Sequence, residues 1–199
     1  MNDYDVRPSA TMREAPASRY ILSQSPMRLY LIGMPGAGKS TLGRALAQSY
    51  GVPFVDLDAE IVAREQRSIP ELFAQEGEEY FRQREADALQ AVVARYPALV
   101  LATGGGTPCF HHNLELLLET GLTLYLAVPV PELVRRLLHS AAARPLLAAA
   151  PDAAALEARL HETLAARQRF YDRAPLRCTA PTCSPETVRR LIARYSTTA

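Results

Sequence analysis

The chain of 199 residues has no excess of charge: 22 Lys and Arg face 21 Asp and Glu, for a net charge of +1. That balance gives no global field to recruit nucleic acid or an anionic membrane, so an anionic ligand must be held by arginines placed locally. No apolar run approaches the length of a membrane span. Cysteine is scarce too. Cys109, Cys178 and Cys183 form no C-x-x-C pair of the kind that marks zinc or redox work, and reduced thiols are expected. The N-terminus carries Asp3 and Asp5 and no basic-then-apolar segment, so no secretory signal is expected and a cytoplasmic protein is.

Residues 1–26 are rich in Ser, Ala and Pro without a sustained period, and are expected to form a flexible tail. From Arg28 onward short apolar runs alternate with helical patterns. Strands are expected at 29–32, 53–55, 99–102, 122–128 and 176–179. Helices are expected at 39–50, with Leu42, Ala45, Leu46 and Ser49 on one face, and at 58–67, 69–75, 78–96, 113–119, 131–139, 152–170 and 185–195. Strands separated by helices predict an α/β domain over 27–199, a three-layer sandwich around a five-stranded parallel sheet. Ligands in such a sheet sit at the carboxyl ends of the strands. Three helical segments between the second and third strands, where one would suffice, mark an insertion. The alanine-rich stretch around Arg144-Pro145-Leu146-Leu147, about 139–152, is long enough to act as a lid.

Gly33-Met34-Pro35-Gly36-Ala37-Gly38-Lys39-Ser40 fits G-x-x-x-x-G-K-[ST] between an expected strand and an expected helix. Glycines let backbone N–H groups turn toward phosphates, and the helix N-terminus adds partial positive charge. Gly36, Ala37, Gly38, Lys39, Ser40 and Thr41 are therefore expected to bind the phosphates of a nucleotide such as ATP, with Lys39 on the β- and γ-phosphates and the Ser40 hydroxyl on Mg2+. The loop alone does not separate an ATPase, a GTPase and a small-molecule kinase. Asp56-Leu57-Asp58 closes the second strand, and its two carboxylates suit one metal-side and one substrate-side role. Asp58 would serve equally as a helix N-cap. No N-K-x-D-type guanine signature follows. Arg82 and Glu85 stand three apart on a helix, close enough for one to orient the other, though Arg82-Gln83-Arg84 also reads as a solvated face. Three successive glycines, Gly104 to Gly106, carry an entropic cost that a close backbone approach to a ligand would justify.

Taken in order, the phosphate loop, D-x-D, Ser68-Ile69-Pro70-Glu71-Leu72-Phe73, Gly77-Glu78-Glu79-Tyr80-Phe81-Arg82 with Glu85, the triple glycine, Arg144-Pro145-Leu146-Leu147, and Arg167 four residues before Tyr171 resemble the shikimate kinase family. The resemblance covers about 28–195. It implies a nucleoside-monophosphate-kinase-like fold, with a substrate-binding region at about 57–96 and MgATP and shikimate as substrates. It also implies Asp56 with Ser40 on Mg2+, and Asp58 on the ring hydroxyls as candidate base. Arg82 and Arg167 would take the carboxylate, Gly104, Gly105 and Gly106 would lie against the substrate, and Phe73, Phe81 and Glu85 would brace the pocket. Arg144 would swing over the phosphates as a catalytic and ATP-binding lid residue. A monomer is expected, with no nucleic-acid or membrane partner. A gluconate kinase and a catalytically silent ligand sensor remain as alternatives; the first lacks a use for the triple glycine and arginine pair, and the second would be expected to lack Lys39, Asp58 or the lid arginine.

Overall fold

Continuous apolar strands need cover on both faces, and the sheet is built that way. The computed structural model describes residues 27–139 and 152–198. The expected tail and nearly all of the expected lid, with Arg144, lie outside them. The elements run β1 (Arg28–Ile32), α1 (Lys39–Tyr50), β2 (Phe54–Asp56), α2 (Leu57–Glu65), α3 (Ile69–Arg95), β3 (Leu99–Ala102), α4 (Asn113–Thr120), β4 (Leu122–Ala127), α5 (Val130–Leu138), α6 (Ala153–Tyr171), β5 (Leu176–Thr179) and α7 (Pro185–Thr198). A short 3-10 turn covers Thr107–Cys109. Every strand pair is parallel, in the order β2-β3-β1-β4-β5. The fully buried strands β3 and β4 flank β1, whereas the edge strand β5 alternates buried and exposed residues.

Local signals explain the helix boundaries. Gly51 ends α1 in the left-handed conformation that a C-cap favours, at φ 65. Ser68 and Glu71 form a reciprocal capping box that starts α3. Gly77, at φ 84 and ψ 177, breaks α3 into the two helical segments expected from sequence. Its second segment carries Phe81, Arg82, Glu85, Ala88, Leu89 and Val92 inward on one stripe. Arg82 thus belongs to a buried face, not to the solvated one its polar neighbours suggest.

Three expectations need correction. The N-cap of α2 is Asp56, whose side chain accepts from Ala59 N, because the helix begins at Leu57; Asp58 sits in the first turn and caps nothing. The inward face of α1 is Lys39, Leu42, Gly43, Leu46 and Ala47 rather than one through Ala45 and Ser49. Gly43 sets that rotation: a Cβ there would lie 2.6 Å from the Phe54 ring, so α1 meets β2 through its glycine. Lastly, Cys178 and Cys183 are joined as a disulfide, not separate thiols, because the turn after β5 folds Thr182 back onto Thr179 and brings their Cα atoms to 5.6 Å.

Candidate active site

The carboxyl ends of β1, β2 and β3 supply the phosphate loop, Asp56 with Asp58, and the triple glycine. Gly33, Gly36 and Gly38 all hold positive φ, which L side chains rarely adopt, and so the backbone can curl tightly between β1 and α1. Gly38 offers no side-chain cap to α1, leaving its first-turn N–H groups facing the cavity. Lys39 is buried and donates to Gly33 O at 2.8 Å and Met34 O at 3.0 Å. Its burial pushes the ammonium down to about 8, against the pull of Asp58 and Asp56 and with a small further push from Arg167. Phosphate oxygens beside Lys39 would restore its full charge. Arg136, which sequence reasoning missed, donates to Ala37 O at 3.1 Å and so reaches the loop from α5.

Ser40 Oγ donates to Asp56 Oδ2 at 2.6 Å. A hydroxyl and a carboxylate side by side are hard oxygen donors, the set that suits Mg2+ completed by phosphates and water. These two residues therefore fit the metal expected from sequence.

Two cavities meet here. The first, about 780 Å3, is lined by Lys39, Ser40, Thr41, Asp56 and, at its far end, Pro181 and Pro185. The second, about 680 Å3, is lined by Phe73, Phe81, Arg82, Glu85, Arg159 and Arg167. Pro35, Asp58, Gly104 and Gly105 line both. Asp58 thus stands on the shared wall. Burial and then Asp56 push its carboxyl up to about 6; Lys39 opposes this, Glu85 adds to it and Arg82 subtracts. If Asp58 accepts a substrate proton, its acid form is idle. The kcat/KM for the acceptor is then expected to fall about tenfold per pH unit below about 6. A flat profile from pH 5 to 8 would exclude that role.

Arg82, only 7% exposed, donates from Nη1 to Glu85 at 2.8 Å and from Nε and Nη2 to Glu78 at 3.2 and 3.1 Å. Among the described residues these bonds use three of its five donors, leaving one on each Nη for a planar anion. The guanidinium carbon lies 5.0 Å from the Phe81 ring centroid and 4.3 Å from that of Phe110, a second residue missed from sequence. Phe73 packs on Phe81 with centroids 4.6 Å apart.

The triple glycine is explained by what stands against it. A Cβ on Gly104 would meet oxygens of Glu85, Thr107 and Asp58 at 2.8–3.1 Å. One on Gly105 would meet Pro35 at 2.7 Å and Arg167 at 3.0 Å, and one on Gly106 would meet both Arg82 Nη atoms at 2.8 Å. Gly106→Ala is accordingly expected to displace Arg82 and raise the KM for an anionic acceptor about tenfold or more, with the KM for nucleotide unmoved. Steady-state kinetics in both substrates would check it. Tyr171 ties the assembly together, donating to Gly105 O at 2.6 Å while stacking on Tyr125 at 5.0 Å. Burial raises its phenol well above the ordinary range, so it remains a donor.

The family model described as shikimate kinase matches residues 35–196. This chain belongs to the shikimate kinase family. The family's curated members include the shikimate kinase of Gloeobacter violaceus, 41% identical over 172 residues, which covers 84% of this chain and 94% of the relative. Among solved shikimate kinases, that of Bacteroides thetaiotaomicron superposes with a TM-score of 0.78 at 36% identity, covering 85% of this chain and 98% of the other. The shikimate kinase of Acinetobacter baumannii, solved in complex with shikimate, gives 0.74 at 33% identity over 87% and 94%. Among the described residues no helix is long and apolar enough to cross a membrane.

Proposed function

We propose that this shikimate kinase family member transfers the γ-phosphoryl group of MgATP to the 3-hydroxyl of shikimate, giving shikimate 3-phosphate and ADP. The observation that carries the reading is the pair of adjoining cavities. One is a phosphate cradle, the other is lined by three arginines, Arg82 and Arg167 among them, and Asp58 stands on the wall they share. Shikimate offers one carboxylate and three hydroxyls on a small ring. A planar guanidinium matches the carboxylate bidentately, which suits Arg82 and Arg167 better than lysines.

Phosphoryl transfer needs positioning and charge neutralisation more than covalent chemistry by the protein. Gly36 to Thr41 bind the triphosphate, and Lys39 neutralises charge that develops on the transferred group. Ser40 and Asp56 would hold Mg2+, which supplies further charge neutralisation at the phosphates when bound. Arg82 and Arg167 turn the ring so that one hydroxyl faces Asp58, and Asp58 takes its proton. Gly104 to Gly106 let the ring approach the backbone. Arg144 takes, on the family resemblance, the role of a lid arginine over the phosphates.

The use of ATP supports a cytoplasmic setting. An ADP-release assay with shikimate, quinate and gluconate tests the proposal. Turnover with shikimate at least about a hundredfold above the others in kcat/KM is expected from an acceptor site built on a charged carboxylate and placed hydroxyls. Equal or better turnover of gluconate would overturn it.

A further inference from the structure

We propose that Thr107 is a positioning residue for the acceptor: its hydroxyl fixes Glu85, and Glu85 in turn holds the Arg82 guanidinium square to the incoming carboxylate. The inference rests on the reading that Arg82 receives that carboxylate. Thr107 is fully buried in the 3-10 turn directly after the triple glycine. Its Oγ1 donates to Glu85 Oε1 at 2.5 Å, while Glu85 Oε2 accepts from Arg82 Nη1 at 2.8 Å. Both oxygens of a carboxylate that is 1% exposed are thus engaged, one by the residue that would bind substrate and one by the residue that steadies it.

Thr107 is itself held. Its N–H reaches Gly104 O at 3.3 Å, and its carbonyl accepts from Asn113 Nδ2 at 3.1 Å, with Asn113 buried at the start of α4. The chain of contacts therefore runs from α4 through the turn to Glu85 and Arg82 on α3. Glu78, the other partner of Arg82, cannot substitute, because its side chain is 59% exposed and free to follow the guanidinium wherever it goes. Position matters at this point because Glu85 Oε1, Thr107 Oγ1 and Asp58 Oδ1 all lie within 3.1 Å of the spot where a Gly104 Cβ would be. The hydroxyl supplies the donor between Glu85 and the turn. Without it, Glu85 Oε1 is a buried acceptor with no proton to receive, and the carboxylate rotates or shifts, taking Arg82 with it.

Thr107→Val keeps the shape and removes the donor, whereas Thr107→Ser keeps the donor. Binary binding of shikimate and of MgATP is measured by calorimetry for the parent, both variants and Arg82→Lys. Thr107→Val is expected to weaken shikimate about 10- to 100-fold, the range for a lost hydrogen bond to a charged group, and to leave MgATP unchanged. Thr107→Ser is expected to bind both like the parent. Should the Val variant not fold, Ser against Ala at the same position provides the comparison of a hydroxyl with none. Parent-like shikimate binding in the hydroxyl-free variant, equal losses for both ligands, or a Ser variant as weak as Val would overturn the role. If Arg82→Lys binds shikimate like the parent, the reading of Arg82 itself fails; if Arg82→Lys is weak and Thr107→Val is not, only the Thr107 role falls.

Discussion

Asp58→Asn is expected to reduce kcat by about 10²–10⁴ while the protein stays folded, the usual worth of a positioned proton acceptor. The structure makes this substitution cleaner than sequence suggested, because the N-cap of α2 is Asp56 and Asp58 contributes nothing to capping. Stability should even move the other way. The folded-state carboxyl is raised from 3.8 to about 6, so the native state binds more protons than the unfolded chain between those values. Stability contributed by this group is therefore lost as pH rises through that window, and at pH 7 the charged Asp58 opposes folding. Replacing it by a neutral isostere is expected to stabilise the protein at pH 7 by up to about 3 kcal/mol. Activity and thermal unfolding measured on the same preparation check both halves. A folded variant with near-normal kcat would remove Asp58 from the chemistry, and a lower Tm at pH 7 would show that its charge is satisfied in the native state.

The second large effect belongs to the arginines. Truncating one partner of a partly dry charge pair typically costs about 2–5 kcal/mol, or roughly 30- to several-thousand-fold in kcat/KM. Arg167→Ala is expected to lose that much for shikimate with little change for MgATP. Arg82→Ala carries a complication: it would also leave Glu85, 1% exposed, without its guanidinium. Stranding a buried charge costs about 3–5 kcal/mol of folding stability. Arg82→Lys keeps a cation near Glu85 but loses the two-pronged geometry, so it separates binding from folding. Crossing Arg82→Lys and Arg167→Ala with a shikimate analogue whose carboxylate is an amide gives a cycle for each residue. The amide should lose much less than shikimate on each substitution. Additive losses, with coupling below about 0.5 kcal/mol, would mean that the residue does not touch the carboxylate.

The sequence made the phosphate loop, the D-x-D strand end and the break at Gly77 legible because each is a local signal, written within a few residues. The five strands were legible for the same reason, including the weak edge strand at Leu176, whose alternation is short but whose neighbours are helical. What escaped was set by distance along the chain. Thr107 meets Glu85 across 22 positions, and Arg136 meets Ala37 across 99. Phe110 faces Arg82 only because the 3-10 turn after the glycines swings it back over α3. No spacing rule brings such pairs together before the fold does. The capping assignment at Asp58 failed for a subtler reason: either carboxylate of Asp56-Leu57-Asp58 could cap, and the choice depended on where β2 ends, a boundary that periodicity defines only to within a residue or two. The S-x-x-E pattern at Ser68 was a readable signal for the start of α3.

The proposed reaction specifies not only that shikimate is phosphorylated but where. The most direct measurement is the product of MgATP and shikimate turnover, read by phosphorus–proton coupling in solution NMR. A single phosphomonoester is expected, its phosphorus coupled to the ring proton at carbon 3 and its formation one-for-one with ADP. ADP released without phosphorylated shikimate, or phosphate carried on another ring hydroxyl, would contradict it.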